Sequence, residues 1–338
     1  MFIKSKKICI KNIFLTISHF NKYARFTIQK ILKNKKQKCK IKILLVILFI
    51  IIILFCVRFI IYKSNNKFNN NNFNIKFNNM HKYQQDDLTI VSAYYKTKSK
   101  HKPEEYYIWL RNFALLNKSM VFFASKEFMP AFKELRPKEL YNKTVFIELE
   151  MEDFFAYKNF YNEFQESFKM DHENRYQTVP LYLIWAEKAT FVKKAILSNY
   201  FQSKCFFWID AGYFMDPKEI PKYINWPSTK KCLEDDRLLL GQVRQFSDEE
   251  IKGIVNFDEK YHEQLKRKIS VIGGVFGGQI KNTLKFINLY YDAIRLFIKN
   301  KKFIGKDQNI FTYVALAHPD VVKLIKFSYY YDFKLYLA

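Results

Sequence analysis

The chain predicts an α/β domain built on a single, mainly parallel Rossmann-like sheet, carried behind one N-terminal transmembrane helix. Three observations predict it. An apolar run covers residues 43–62, apolar β-type runs alternate with helical stretches from Leu88 onward, and several of those runs are apolar throughout.

The N-terminal run comes first. Ile43 to Val57 is unbroken by any polar residue, and Phe59, Ile60, Ile61 and Tyr62 extend it past Arg58. Twenty helical residues at 1.5 Å each reach about 30 Å, the thickness of a hydrocarbon core. Arg58 near one end can snorkel to the headgroups. Residues 41–80 contain no Ala or Gly for a signal-peptidase site, so the run reads as a retained anchor. Residues 1–42 carry 13 Lys and Arg and no acid, which puts this basic tail on the cytosolic side of a type II anchor. An acid-free, Lys-rich start is also compatible with a mitochondrial presequence. Residues 63–85 hold nine Asn and no periodicity, and read as a stem.

Charge distribution excludes nucleic acid as the expected partner. Eighteen of the 57 basic residues precede residue 86 and none of the 32 acids does, which leaves +7 for residues 86–338. The basicity of the tail and stem is suited to anionic lipid headgroups. The abundance of Phe, Tyr, Ile, Lys and Asn reads as codon bias and carries no argument by itself.

In residues 86–338 strands are expected at Leu88–Tyr94, Met120–Ala124, Thr144–Leu149, Cys205–Ile209, Leu238–Val243, Ser270–Phe276 and Val321–Phe327. Helices are expected near 104–116, 126–135, 180–199, 280–300 and 308–317. Cys205 and Cys232 are the cysteines of this part; they either pair, if the domain is lumenal, or remain buried thiols. Two sequons, Asn117-Lys-Ser119 and Asn142-Lys-Thr144, are usable in the same circumstance.

Four features carry the chemistry. Cys205-Phe-Phe-Trp-Ile-Asp210-Ala-Gly212 runs an apolar strand into an acid, and ligands of open α/β sheets bind beyond strand carboxyl ends. Asp210 there is a candidate ligand for Mg²⁺ or Mn²⁺, against the plainer reading of an acid opening a turn. Gly273, Gly274, Gly277 and Gly278 are half of the chain's eight glycines, and permit a ligand or another backbone to approach, or else mark a bulge. Asp307, in Gly305-Lys-Asp-Gln308, is either an N-cap or a carboxylate that binds or deprotonates an acceptor hydroxyl. Lys188 falls on the apolar stripe Leu181, Ile184, Trp185, Ala189, Val192, where it needs a phosphate or carboxylate partner unless it snorkels at the edge. His318 and Asp216 are candidate metal ligands, against the plainer reading of ordinary surface or turn residues. Nucleophilic Ser or Cys triads and zinc spacings are absent.

Five segments in order, Leu88-Thr-Ile-Val-Ser-Ala-Tyr-Tyr95, Trp185-Ala-Glu-Lys188, Trp208-Ile-Asp-Ala-Gly212, Gly273-Gly-Val-Phe-Gly-Gly278 and Gly305-Lys-Asp-Gln308, resemble the HtrL/YibB-like family. That family is similar to GT-A type glycosyltransferases, and bacterial members are associated with lipopolysaccharide-core loci. The resemblance implies a GT-A-like fold, a nucleotide-sugar donor, a glycan or glycolipid acceptor, and a divalent cation (Mn or Mg). Asp210 takes the place of the metal-binding acidic motif, although Gly212 stands where a second Asp belongs. The glycine segment lines the acceptor side together with Gln308, and Asp307 acts as base. The expectation is a Golgi or ER glycosyltransferase with a lumenal catalytic domain. The alternative is a non-catalytic glycan- or nucleotide-binding domain on the same fold, and a third class is a structural tether.

Overall fold

The computed structural model describes residues 83–98, 100–327 and 333–338. The expected tail, the span at 43–62 and residues 63–82 of the stem lie outside the described residues. Among the described residues, no helix is long and apolar enough to cross a membrane.

Residues 83–338 form an α/β domain around a seven-stranded mixed sheet that is mostly parallel. The strands are β1 (Leu88–Tyr94), β2 (Ser119–Ala124), β3 (Thr144–Glu148), β4 (Cys205–Ile209), β5 (Leu238–Gln242), β6 (Val271–Gln279) and β7 (Val322–Lys326), in the order β3-β2-β1-β4-β6-β5-β7. β6 runs antiparallel to both its neighbours, β4 and β5, while every other pairing is parallel. The reversal has a simple local consequence. The start of β6, not its end, lies beside the carboxyl end of β4.

The uniformly apolar strands are explained by cover on both faces. In β4, Phe206 and Trp208 join one hydrophobic cluster, whereas Cys205, Phe207 and Ile209 join the other. β2 divides likewise, with Val121 and Phe123 on one side and Met120, Phe122 and Ala124 on the other.

The helices are α1 (Pro103–Ala114), α2 (Met129–Leu135), α3 (Phe155–Lys169), α4 (Val179–Ser198), α5 (Ile220–Tyr223), α6 (Thr229–Leu233), α7 (Asp248–Val255), α8 (Glu259–Arg267), α9 (Ile280–Lys299), α10 (Asp307–Ala317) and α11 (Phe333–Tyr336). α4 starts at Thr178, whose hydroxyl accepts from the Leu181 N–H, and ends at Asn199 in the left-handed conformation that closes helices. Its middle is buried nearly all round, more widely than the expected stripe, because it lies between β1 and β4 below and α3 and α9 beside it. Lys188 and its neighbour Glu187 are therefore both enclosed.

Two buried polar devices fix the frame. The guanidinium of Arg136 donates to the carbonyls of Ala114, Leu116 and Lys118 and to the Thr144 hydroxyl, tying the end of α1 to β3; burial brings its pKa down to about 10. Cys205, at the start of β4, is disulfide-bonded to Cys232 in α6. Of the two sequon asparagines, Asn142 is exposed, whereas Asn117 is half-buried and bonded to Asn225 and Lys143.

Candidate functional site at the end of strand β4

Lys188, Asp210, Gly273 and Asp307, separated by up to 119 positions in the chain, meet at one point. The Lys188 Nζ lies 3.0 Å from Asp210 Oδ1 and 2.9 Å from Asp307 Oδ2, and donates to the Gly273 carbonyl at 3.0 Å. An ammonium has three donors, and these three oxygens match them in number. The side chains of Lys188 and Asp307 are 4% and 5% exposed, while Asp210 is 38% exposed. Asp210 is thus the member of the cluster that faces outward.

Each residue is delivered by a different element. α4 presents Lys188 against β4, where its ammonium lies 5.7 Å from the Trp208 ring centroid. Asp210 leaves β4 with its N–H bonded to the Gly274 carbonyl at 2.8 Å, and its Oδ1 accepts from the Trp208 indole at 2.7 Å. Asp307 opens α10, where its Oδ1 accepts the Gln308 N–H at 2.8 Å. Its Oδ2 is paired with the Lys188 ammonium.

The charges shape one another. Burial alone would push the Lys188 ammonium down, but Asp210 and Asp307 outweigh it and hold its pKa above the ordinary lysine value. Burial pushes Asp307 up; Lys188 opposes this, Asp210 adds to it, and the net shift is upward.

The glycines divide. A Cβ on Gly273 would lie 2.9 Å from Gln308 Cγ and 3.0 Å from Asp307 Oδ1, so this glycine lets α10 close onto β6. Gly277 and Gly278 lie further along β6, paired with Phe207 and Phe206, away from the cluster. A Cβ on Gly277 would stand 2.2 Å from the Phe206 carbonyl oxygen, which makes it a residue of close strand approach. Gln308 donates its amide to the Val271 carbonyl at 2.9 Å. Asp216 caps a short turn through the Lys218 N–H, and His318 ends α10.

The carboxylates do not form a resident site for a divalent ion. Asp210 Oδ1 and Asp307 Oδ2 both serve Lys188, and among the described residues no group of three His, Cys, Asp or Glu side chains converges on a point. The lysine ammonium occupies the position between the acids.

Sequence reasoning missed three contributors. Trp208 holds Asp210, and nothing in the strand pattern marks it for that role. At the end of β1 and beyond it, the aromatic rings of Tyr94, His101, Tyr106 and Trp109 pack tilted or edge to face, and a Cβ on Gly212 would lie 3.0 Å from the Trp109 indole. The same loop carries Lys96, Lys98, Lys100 and Lys102, which make no ion pair among the described residues. Its pattern of alternating lysines was legible but was discounted as composition.

No curated protein matches the chain in sequence. The family described as "Bacterial protein of unknown function (HtrL_YibB)" matches residues 86–338, three-quarters of the length. With the five motif segments all inside that match, the chain belongs to the HtrL/YibB family.

Proposed function

We propose that this protein is a GT-A-like glycosyltransferase that moves a sugar from a nucleotide donor to a glycan or glycolipid hydroxyl. The observation that carries the reading is the outward-facing Asp210 carboxylate, held by a buried ammonium at the carboxyl end of a central strand. Sugar transfer passes through an oxocarbenium-like state. One lysine between two acids gives the cluster a formal charge of −1 with both acids ionised, the sign that stabilises positive charge developing on the sugar. Asp210 also stands where a carboxylate can accept the proton of an incoming hydroxyl. The acceptor oxygen bonds to the anomeric carbon, the bond to the diphosphate oxygen breaks, and the diphosphate leaves with its electron pair.

The donor's negative charge is met elsewhere. Lys96, Lys98, Lys100 and Lys102 outnumber Glu104 and Glu105 in the β1–α1 segment, giving a positive lip beside an aromatic face suited to a nucleoside base. In this scheme Lys188 and Asp307 position Asp210, and no step is routed through a metal. The role of base passes to Asp210 because Asp307 is enclosed beneath Lys188. The buried Cys205–Cys232 bond supports an oxidising compartment, in keeping with a lumenal domain behind the apolar segment at 43–62.

The test is donor turnover by the full-length protein over a panel of nucleotide sugars, reading diphosphate release and sugar incorporation. Asp210→Asn should lower the rate by about 10² or more. Unchanged turnover removes Asp210 from the chemistry. The second reading, a domain that binds nucleotide or glycan without transfer, is favoured by the missing convergence of acids. Nucleoside diphosphate binding with no turnover across the panel decides for it.

A further inference from the structure

A second cleft opens beyond the carboxyl ends of β5 and β7, on the side of β6 away from β4. It has a volume of about 540 Å³ and is lined by Gln242, Val243, Arg244, Gln245, Lys326, Phe327 and Leu335. A volume of this size suits a small polar ligand or one to two sugar rings rather than a single water. We infer that this cleft binds a sugar bearing an acidic group, a carboxylate or a phosphate, and that this sugar belongs to the acceptor.

Four observations lead there. Gln242, only 6% exposed as a residue, lines the cleft with a polar side chain. An amide reaching into the cleft offers both a donor and an acceptor, which sugar hydroxyls can pair with. Second, Lys326 is in register with Gln242 across the β5–β7 pair, so the two side chains leave the sheet together. Lys326 is exposed and makes no ion pair among the described residues.

Third, Arg244 is pre-organised. Its Nε donates to the Ser270 hydroxyl at 2.9 Å, one terminal nitrogen donates to Glu250 Oε1 at 2.9 Å and to the Gln245 carbonyl at 3.2 Å, and its plane rides over the Phe246 ring at 4.4 Å. Those bonds leave the second terminal nitrogen for a ligand. Glu250 pairs with this guanidinium; its carboxyl is held below the usual range by the Ser247 N–H, with Arg244 and Lys268 contributing. The charged residues that line the cleft, Arg244 and Lys326, are both basic. Fourth, Val243, Phe327 and Leu335 supply apolar wall, the mixture typical of a small-molecule site.

The cleft adjoins the Lys188 cluster. Gln242 pairs with Val271 across the β5–β6 ladder, the Val271 carbonyl takes the Gln308 amide, and Gln308 follows Asp307. The word acceptor rests on the transferase reading; the class of ligand does not.

The experiment measures binding of glucuronic acid, glucose 6-phosphate and glucose to the full-length protein by saturation-transfer NMR, with Lys326→Gln, Lys326→Glu and Gln242→Leu variants. Lys326 is exposed, so its variants keep the fold. The acidic sugars should bind about tenfold more tightly than glucose, and Lys326→Gln should erase most of that preference while leaving glucose unchanged. Gln242→Leu should weaken all three. The comparison between the two acidic probes tells a carboxylate from a phosphate site. Equal binding of glucose and the acidic sugars, or acidic-sugar binding within about twofold of wild type in Lys326→Glu, overturns the inference. Acidic-sugar binding without turnover of any nucleotide sugar keeps the cleft and removes the transferase reading. Turnover without acidic-sugar preference does the reverse.

Discussion

Replacing Lys188 by Met removes the ammonium while keeping an unbranched side chain of similar length. In the wild type the charge sits 3.0 and 2.9 Å from two carboxylates, one of them enclosed. At an effective dielectric of about 20 each contact carries roughly 5–6 kcal/mol of attraction, and burial of the ions cancels a large part of it. Removing one partner of such a cluster costs about 3–5 kcal/mol, because the Asp307 charge is left enclosed with only the Gln308 N–H facing it. The loss depends on pH, and its sign follows from the direction of the Asp307 shift. Its folded pKa is already above the unfolded value, so the folded state binds the proton more tightly, and this group's contribution to stability falls as pH rises through that interval. Without Lys188 the folded pKa climbs further, and the decline extends towards neutrality. Urea denaturation of the full-length variant should therefore show a small deficit against wild type near pH 4.5 and the full deficit near pH 8. Lys188→Met/Asp307→Asn should recover much of the loss, since the enclosed charge is gone. A deficit independent of pH, or a double variant no better than the single one, would refute the argument that the lysine compensates Asp307.

Other expectations follow from the same packing. Opening the Cys205–Cys232 bond, whose ends are 27 positions apart, should lower stability by about 3.5 kcal/mol, read from the urea denaturation of the native protein against Cys205→Ser/Cys232→Ser. An equal midpoint would show that the link is not made in solution. Glu187 is enclosed on α4, and one of its oxygens accepts the Ala156 N–H at the start of α3 at 2.9 Å; burial pushes its pKa up to about 7, against the ordinary glutamate value. Its ionisation is therefore a penalty that grows as pH rises from about 4.5 to 7, so Glu187→Gln should gain stability relative to wild type over that range; a flat difference between pH 5 and 8 contradicts this. Gly277→Ala should destabilise more than Gly273→Ala, because its Cβ meets the backbone of β4 rather than a side chain that can yield. Gly273→Ala should instead move Asp307 and Gln308, reducing donor turnover about tenfold or more with a smaller change in the denaturation midpoint. The opposite ranking would separate β6 from the chemistry.

Much of the scaffold was legible because burial on both faces leaves no polar alternation to misread. β1 and β4 have the expected ends, and α4, α9 and α10 fall where their apolar spacing put them. β6 runs on to Gln279, past the expected end at Phe276, since pairing with β4 and β5 overrides the poor strand preference of Gly277 and Gly278. α3 was missed although Ala156, Phe160, Phe164 and Ser167 form its buried stripe; the abundance of Phe and Tyr elsewhere hid the period, and Phe160 sits at a kink. α7 was missed despite the Ser247–Glu250 capping box at its start. Asp210, Lys188 and the first two glycines each stood out as local anomalies. That they converge was not legible, because local pattern carries no information on the direction of β6. The enclosed position of Asp307 follows from the approach of α10 to Gly273, another long-range fact.

The reversal of β6 sets a rigid strand pair on one side of it and a replaceable excursion on the other. Asp210 and Gly274 are joined across a strand pair, so the edge that carries the Lys188 cluster inherits the stiffness of the sheet. Residues 243–270, which include α7 and α8, form a long excursion between β5 and β6 and return to the sheet just before Val271. Altering the length or composition of that excursion can retune what the neighbouring cleft admits without shifting the register of the acid, which gives this architecture a ready route to new ligands.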